Sequence, residues 1–271
     1  MALLDLTIQR VRHELKMRLL QVVRTQLVSP QLLRVTLSGA DLHGFVSASF
    51  DDHIKVFFPE PGQDKPVLPT VGPDGISMPP GVTRPAARDY TPRRYDADAG
   101  ELDIEFVLHG DGPASMWAAQ ARPGQFIGVG GPRGSFVVPT GFDWHLLIGD
   151  DTALPAIARR IQELPASART IALIEIADAG AQIPLPQRDG LSVRWLHRDG
   201  APAGDPALLE QAARQLELPR GEGYVWAAAE SAAAKTVRRV MVEERGIAKA
   251  RIRASSYWKR GASAVHETLD D

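Results

Sequence analysis

The sequence predicts an N-terminal antiparallel β-barrel followed by a C-terminal α/β domain with a mostly parallel sheet. The chain has 271 residues, which is enough for two cores of ordinary size. Residues 17–139 contain short strand-like runs with few helix signals, whereas residues 144–256 alternate strands with helices. We therefore expect a barrel domain at residues 1–141 and an α/β domain with a C-terminal tail at residues 142–271.

The first half contains runs of apolar and β-branched residues that suit a small barrel. Residues 3–20 are amphipathic, for which we expect a short packed helix, with contact to a membrane surface as the alternative. Crowded prolines predict an exposed loop without regular structure over residues 59–85. Gly112 and Pro113 favour a helix over residues 112–121. The strand candidates are Arg18–Leu27, Leu32–Leu37, His53–Phe58, Leu102–Leu108, Phe126–Val129 and Ser135–Val138.

The second half begins with a buried-type strand, W-H-L-L-I-G-D, and a helix follows it. Apolar residues of this helix recur at i, i+3, i+4 and i+7, starting from Leu154. Continued alternation predicts a parallel sheet covered by helices. Further strands are expected at Thr170–Ile176, Ser192–Leu196, Tyr224–Ala229 and Arg251–Ser255, with helices at Pro206–Leu218 and Ser231–Arg245.

Composition excludes several classes of function. The net charge of -2 argues against a nucleic-acid partner that is bound through a large positive field. The absence of cysteine excludes disulfides, cysteinyl iron–sulfur clusters and thiolate nucleophiles, and the histidine spacing predicts no resident metal. No run reaches the ~18–20 apolar residues of a membrane span, and no signal-peptide core is present, so we expect a cytoplasmic protein. Redox chemistry would therefore need a bound cofactor.

The most informative stretch is R-D-Y-T-P-R-R-Y, residues 88–95. It combines aromatic rings, a hydroxyl and arginines, which is the set a flavin needs for stacking, for polar contact with its ring and for its phosphate or ribityl groups. Arg88, Tyr90 and Thr91 are the candidate flavin contacts. The alternative is a strand with solvated arginines.

Two turns are candidate nucleotide sites. In H-G-D-G-P-A-S-M-W a strand ends and a helix opens, so amides near Gly112, Ala114 and Ser115 could bind a pyrophosphate, or simply belong to a capped helix. In G-D-D-T-A-L-P-A, the turn at the carboxyl end of the first α/β strand is suited to a nicotinamide nucleotide, with Thr152 as the expected helix cap. A plain strand-to-helix turn is the alternative. By contrast, G-V-G-G-P-R-G at residues 128–134 lacks a phosphate-loop ending, and we expect a hairpin turn there.

With these elements in order, the chain resembles the siderophore-interacting protein family, the flavin-dependent ferric-siderophore reductases of the ferredoxin-reductase superfamily. The resemblance spans about residues 17–262. One departure is Ser256, where the family is expected to have glycine. The matching blocks are D-D-H-I-K-V-F-F-P, R-D-Y-T-P-R, V-L-H-G-D-G-P-A-S-M-W, G-D-D-T-A-L-P-A-I, Y-V-W-A-A-A-E and Y-W-K-R-G.

The resemblance implies that the first domain binds FAD and the second binds NADH or NADPH. The predicted protein passes electrons from NAD(P)H through FAD to iron(III) in a ferric siderophore and releases iron(II), as a monomer. No catalytic acid or base is expected, because positioning of redox partners suffices. The predicted cofactor-binding residues are Arg88, Tyr90, Thr91, His109, Gly112, Ala114, Ser115, Gly149, Asp150, Thr152, Ala153, Pro155, Glu230 and Trp258.

Three questions stay open at the level of sequence. A non-enzymatic siderophore-binding protein and a reductase for another acceptor, such as free flavin or ferredoxin, are alternatives. Acids at Glu175 and Asp178 favour NADH, whereas Arg194 or Arg198 could favour NADPH. An anionic ferric siderophore would be attracted by nearby cations, although each could be a solvated surface charge. The predicted substrate-binding cations are Lys55, Arg133, Lys259 and Arg260.

Overall fold

A computed structural model describes residues 5–110, 112–262 and 267–269. The described chain forms two compact units. The first is Ile8–Val138, and the second contains the described residues from Pro139 onwards together with residues 5–7.

The first unit is built on a curled antiparallel sheet. Alternate residues of its long strands face one apolar core, in which Leu20, Val35, Ile104 and Ile127 are fully buried. The predicted antiparallel barrel class is confirmed as a half-barrel. The strands are β1 (Gln9–Arg12), β2 (Met17–Ser29), β3 (Leu32–Ser38), β4 (Ile54–Phe57), β5 (Thr70–Gly72), β6 (Gly75–Ser77), β7 (Ala87–Tyr90), β8 (Pro92–Asp96), β9 (Glu101–Val107), β10 (Phe126–Gly130) and β11 (Gly134–Val137), and the helix is α1 (Pro113–Ala119).

The order of strands in the main sheet is β7-β4-β10-β2-β3-β9-β8. The two edges, β7 and β8, are consecutive in the chain and meet at Thr91. The candidate flavin motif therefore occupies both edges of the curled sheet.

Residues 9–12 and 17–29 are strands, so the predicted helix over residues 3–20 is wrong in the part that the structure describes. Residues 1–4 lie outside the described residues. Strand β1 pairs with β11, and β2 pairs with β3 and β10. Long-range ladders override the local amphipathic pattern here, because they satisfy a whole row of peptide groups.

Two turn predictions are corrected. Strands β5 and β6 form an exposed hairpin within residues 59–85, because G-P-D-G is a turn sequence with Gly75 at φ +106°. The turn at residues 131–133 joins β10 to β11, but β11 pairs with β1 and not with β10. It is therefore a connection between two sheets and not a hairpin.

The second unit contains a six-stranded sheet in the order β14-β13-β12-β15-β16-β17, parallel except for the last strand. The predicted parallel sheet is confirmed. No helix in the described part of the chain is long and apolar enough to cross a membrane. The elements are β12 (Trp144–Gly149), α2 (Leu154–Glu163), β13 (Arg169–Ile176), β14 (Leu191–His197), α3 (Ala207–Gln215), β15 (Gly223–Glu230), α4 (Ser231–Arg239), β16 (Ile252–Trp258) and β17 (Glu267–Thr268).

Helix α4 is shorter than the predicted Ser231–Arg245, because a π-helical turn, Val240–Glu244, follows it. Helices α3 and α4 pack with β12, β15 and β16 around one core that includes Leu146, Val225 and Met241. The carboxyl ends of the parallel strands meet at one edge of this sheet, where an open α/β sheet holds a nucleotide.

Candidate functional site

The three arginines of the motif at residues 88–95 lie in different environments. Arg94 binds three carboxylates of β8 and β9, with its Nε 2.8 Å from Asp103. Arg93 lies 3.6 Å from Glu105. Arg88 has no carboxylate partner among the residues that the structure describes, and its Nη1 donates to the carbonyl of Ala87 at 2.8 Å. Arg88 is thus the guanidinium that is available to a bound phosphate.

The ring of Tyr90 connects this motif to the next one. Its centroid lies 4.4 Å from that of Phe106, and the centroid of Trp117 lies 5.6 Å from the same Phe106 ring. Tyr90 comes from the flavin motif and Trp117 from the H-G-D-G-P-A-S-M-W segment. The fold therefore brings rings from two separate motifs, 27 residues apart in sequence, onto one aromatic cluster.

The local chemistry fits FAD. Burial raises the pKa of Tyr90, so this residue presents a neutral phenol and an aromatic face. Thr91 is buried between the edge strands β7 and β8, each of which has one ladder partner in the described sheet. Edge-strand peptides, a hydroxyl and the Arg88 guanidinium are the kinds of polar group that a flavin and its phosphates require.

The second motif folds as predicted at the start of α1. Gly112 is the N-cap, Pro113 is the first helical residue, and the amides of Ala114 and Ser115 have no partner within the helix. The Ser115 hydroxyl accepts a hydrogen bond from the backbone N–H of exposed His109 at 2.9 Å. Asp111 lies outside the described residues. The turn thus presents amides, whereas the Ser115 side chain also braces the loop.

The turn after β12 requires glycine at its first position. A Cβ on Gly149 would lie 2.4 Å from the Cβ of Ala153 and 2.7 Å from the carbonyl oxygen of Ala228. The backbone at Gly149 therefore packs so closely against Ala153 and Ala228 that no side chain fits there. Ala153 and Pro155 are buried at the start of α2, so they shape the turn from inside.

The prediction that Thr152 caps α2 is wrong. Ala153 is the N-cap, and no side chain caps the helix. The Thr152 hydroxyl instead donates to Oδ1 of Asp150 at 2.5 Å, and its backbone N–H donates to the same oxygen at 3.0 Å. The Thr152 hydroxyl is bonded to the buried carboxylate of Asp150 and is therefore not used to cap the helix.

Glu230 and Trp258 lie beside this turn, as members of one hydrogen-bonded group. The backbone N–H of Glu230 and the indole N–H of Trp258 donate to Oδ2 of Asp150, at 2.9 and 2.8 Å. The Glu230 side chain caps α4 by accepting from Ala232 N, and also accepts from Arg260 N at 3.1 Å. Sequence reasoning selected Asp150, Glu230 and Trp258 separately, and the structure joins them.

Ser256 is fully buried in β16, and its hydroxyl donates to the carbonyl of Trp258 at 3.2 Å. The register between β15 and β16 shifts here, so that Ala229 pairs with Ser256 but Glu230 pairs with Trp258. The serine that replaces the expected glycine thus braces the bulge that directs the tail.

A second cluster lies at the same edge; Glu175 and Arg198 in it were named from the sequence, but neither Asp151 nor the ion pairs between them were. Arg198 follows β14 and binds Asp151 at 2.8 Å and Glu175 at 3.3 Å. Burial raises the pKa of Glu175 to about 7, with the charge of Asp150 adding to the effect and Arg198 opposing it. Asp178 instead accepts from Gly180 N. The available sequence signal was the pair Asp150 and Asp151 after β12 together with Arg198 directly after β14, because both strands end at the same edge of the sheet.

The predicted substrate cations differ in their surroundings. In the first unit, Lys55 pairs with Asp89 at 2.7 Å, whereas Arg133 is exposed without an ion-pair partner among the described residues. Arg18 fixes the turn before Arg133 by donating to Gly131 O at 2.9 Å. In the second unit, Lys259 and Arg260 follow Trp258 in the tail, and both side chains are exposed.

Comparison with known proteins gives consistent matches. The family described as "Siderophore-interacting protein" matches residues 142–261, and "Siderophore-interacting FAD-binding domain" matches residues 21–136. The chain is 38% identical to an NADPH-dependent ferric-chelate reductase of Escherichia coli, covering 92% of this chain and 96% of that protein. It is 37% identical to the ferric vibriobactin reductase ViuB of Vibrio cholerae, covering 92% and 93%. A siderophore utilization protein from T. fusca has a similar structure, with a TM-score of 0.89, 42% identity and coverage of 96% and 98%.

Proposed function

The chain belongs to the siderophore-interacting protein family, and on that premise we propose that it is an FAD-dependent NAD(P)H oxidoreductase that reduces iron(III) in a ferric siderophore and releases iron(II). The observation that carries this proposal is the Tyr90–Phe106–Trp117 cluster, which joins the two flavin-type motifs inside the segment matched as an FAD-binding domain. The domain assignment of residues 1–141 to FAD and 142–271 to NAD(P)H is part of the proposal.

FAD supplies the conversion between a hydride and the single electrons that iron(III) accepts. Arg88 would bind phosphate, Tyr90 would stack on the ring, and Thr91 would contact its polar edge. His109 and the amides from Gly112 to Ser115 would hold the pyrophosphate. These residues would bind and orient FAD, and the proposed reaction needs no side chain that donates or removes a proton.

The turn from Gly149 to Ala153 would receive the nicotinamide nucleotide, with Glu230 and Trp258 beside it. NAD(P)H and an anionic ferric siderophore are the proposed small-molecule substrates of a cytoplasmic monomer. Catalysis would consist of positioning redox partners, because the electron transfers need no acid or base.

The direct test is the visible spectrum of the purified protein before and after anaerobic addition of each nicotinamide. We expect a flavin spectrum that is bleached by NAD(P)H and restored by a ferric siderophore, with iron(II) trapped by a ferrous chelator. A flavin that stays oxidised would favour a non-enzymatic siderophore-binding protein. Bleaching followed by turnover with free flavin or ferredoxin alone would favour the other reductases.

The Glu175–Arg198 pair predicts that the choice of nicotinamide depends on pH. Above about pH 7 Glu175 is ionised, so it binds Arg198 and repels a 2′-phosphate. Below that pH Glu175 is protonated, and Arg198 keeps its ion pair with Asp151 but loses the one with Glu175. The ratio of kcat/KM for NADPH to that for NADH should therefore rise about tenfold between about pH 8 and pH 6.

Glu175→Gln should flatten this pH profile, while Asp178→Asn should keep it, because the Asp178 side chain accepts a hydrogen bond from Gly180 N in the neighbouring turn. An unchanged profile in Glu175→Gln would show that the selectivity is set by other groups.

The basic residues predict a salt-dependent substrate effect. Lys55→Ala combined with Arg133→Ala should lower kcat/KM for an anionic ferric siderophore about tenfold at low ionic strength and less at high salt, because a positive field raises encounter rates. Arg133 should contribute more than Lys55, whose charge is paired with Asp89. Lys259→Ala is tested as a separate single variant, and its kcat/KM for the same siderophore measures the contribution of the tail cation.

The matched control is Arg122→Ala, an exposed arginine that precedes β10 and therefore lies at its other end from Arg133. It should leave kcat/KM unchanged, and flavin reduction by NAD(P)H should be unaltered in every variant. Equal turnover of the double variant and the parent at low salt would rule out this patch.

A further inference from the structure

The carboxylate of Asp150 is buried, with 4% of the residue exposed, and receives hydrogen bonds on both oxygens. Oδ1 accepts from the N–H and the hydroxyl of Thr152, and Oδ2 accepts from Glu230 N and Trp258 Nε1. One side chain thus ties together the turn after β12, the end of β15 and the C-terminal tail.

The donors identify the ionisation state that this cage accommodates. Two backbone N–H groups and the indole N–H can only donate, so a carboxylate accepts from all of them, whereas a protonated carboxyl keeps them all only if its proton lies on Oδ1 and is donated to the Thr152 hydroxyl. Burial raises the pKa of Asp150, and charge-assisted bonds to the carboxylate oppose that rise. The carboxylate thus has four fixed donors, and one of them is the indole N–H of Trp258.

Trp258 is the only side chain of the tail that Asp150 binds within the described residues, and it is oriented from several sides. The register shift at the end of β16 pairs Trp258 with Glu230. A Cβ on Gly204, which has φ +80°, would lie 3.0 Å from Cη2 of the Trp258 ring. The loop before α3, the strand end and Asp150 therefore hold the indole, which remains partly exposed.

We propose that Asp150 is a positioning residue that fixes the indole of Trp258 in the orientation that receives the nicotinamide nucleotide. This inference rests on the proposed function, in which the Gly149–Ala153 turn and Trp258 bind that nucleotide. A ring whose rotamer is fixed before binding loses less entropy on binding than one that must be ordered by the ligand. Asp150 thus favours NAD(P)H binding without touching the nucleotide.

The bond itself can be tested before any nicotinamide is added. In 15N-labelled, FAD-loaded protein each tryptophan gives one indole N–H resonance, and Trp258→Phe identifies the signal of Trp258 by its loss. In Asp150→Asn this signal should move upfield and exchange faster with solvent, because a charge-assisted acceptor is lost. The other four tryptophan signals should stay in place. An unmoved Trp258 signal would overturn the proposal.

The functional step is tested by a double-mutant cycle. Asp150→Asn removes the charge of the acceptor and Trp258→Phe removes the donor of the same bond while keeping an aromatic ring, so each should raise KM for NADPH about tenfold. The double variant should be no worse than Asp150→Asn alone, because Trp258→Phe then removes a bond that the first substitution has already weakened. FAD affinity should not change. Trp195→Phe, which alters a tryptophan of β14, serves as control and should leave KM at the parental value.

Additive effects of the two substitutions would overturn the proposal, since Asp150 would then act through general stability. If Asp150→Asn does not fold, Trp258→Phe tests the bond from its other end, and an unchanged KM in that variant would count against the proposal. A parent protein whose flavin is not bleached by NADPH would refute the proposed function instead, while the indole resonance would still report on the Asp150–Trp258 bond.

Discussion

Thr152→Trp should raise the KM for NAD(P)H about 100-fold and leave the spectrum of bound FAD intact. Thr152 lies in the turn at the carboxyl end of β12, where a bulky ring would displace a nucleotide from the Gly149 backbone. Misplacement of a substrate by about 1 Å is sufficient for a rate effect of this size. Stopped-flow reduction of the flavin at varied NAD(P)H concentration measures it.

Thr152 also donates to Asp150, so two control variants separate bulk from hydrogen bonding. Thr152→Ser keeps the hydroxyl and should behave like the parent, whereas Thr152→Val keeps the shape and loses only the hydrogen bond. If flavin reduction in Thr152→Trp is as fast as in the parent, the nucleotide binds elsewhere.

Arg88→Ala should weaken FAD binding about 10- to 100-fold, the effect of removing one charge-assisted contact to phosphate. Arg88 is the member of its motif whose guanidinium has no carboxylate partner in the described chain, whereas Arg93 and Arg94 are bound to acids of β8 and β9. Titration of the apoprotein with FAD, followed by flavin fluorescence, gives the change in Kd.

Arg84→Ala is the matched control, because Arg84 is an exposed arginine only four residues earlier in the chain. It should bind FAD with the parental Kd, and both variants should melt at the parental temperature in their apo forms. Parental affinity in Arg88→Ala would assign this arginine to the protein surface and would leave the phosphate to the amides of the Gly112 turn.

Both predictions depend on elements that the sequence identifies well. Strand β12 and helix α2 were predicted because each has a local signal, a run of buried-type residues and an apolar stripe from Leu154 to Ile161. The Gly112–Pro113 start of α1 was predicted for the same reason. Strands β7 and β8 were not among the strand candidates, and a strand was given only as the alternative to the flavin motif there, because edge strands rich in arginine lack a clear apolar alternation.

By itself, the sequence determined the order of the two fold classes, the excluded chemistries and the motifs that identify the family. These properties depend on residue types and on spacings within about 20 residues. Only the tertiary structure decided which charges are available. Arg88 and Arg94 are the same type of residue, yet the pairing of β8 with β9 brings carboxylates to Arg94, whereas Arg88 has no acid partner among the residues that the structure describes. In the same way, Asp150 meets Trp258 across 108 residues, and Arg198 meets Asp151 across 47. Sheet register sets such contacts, and register is a property of the assembled fold, because each strand is aligned by neighbours that are distant in the chain.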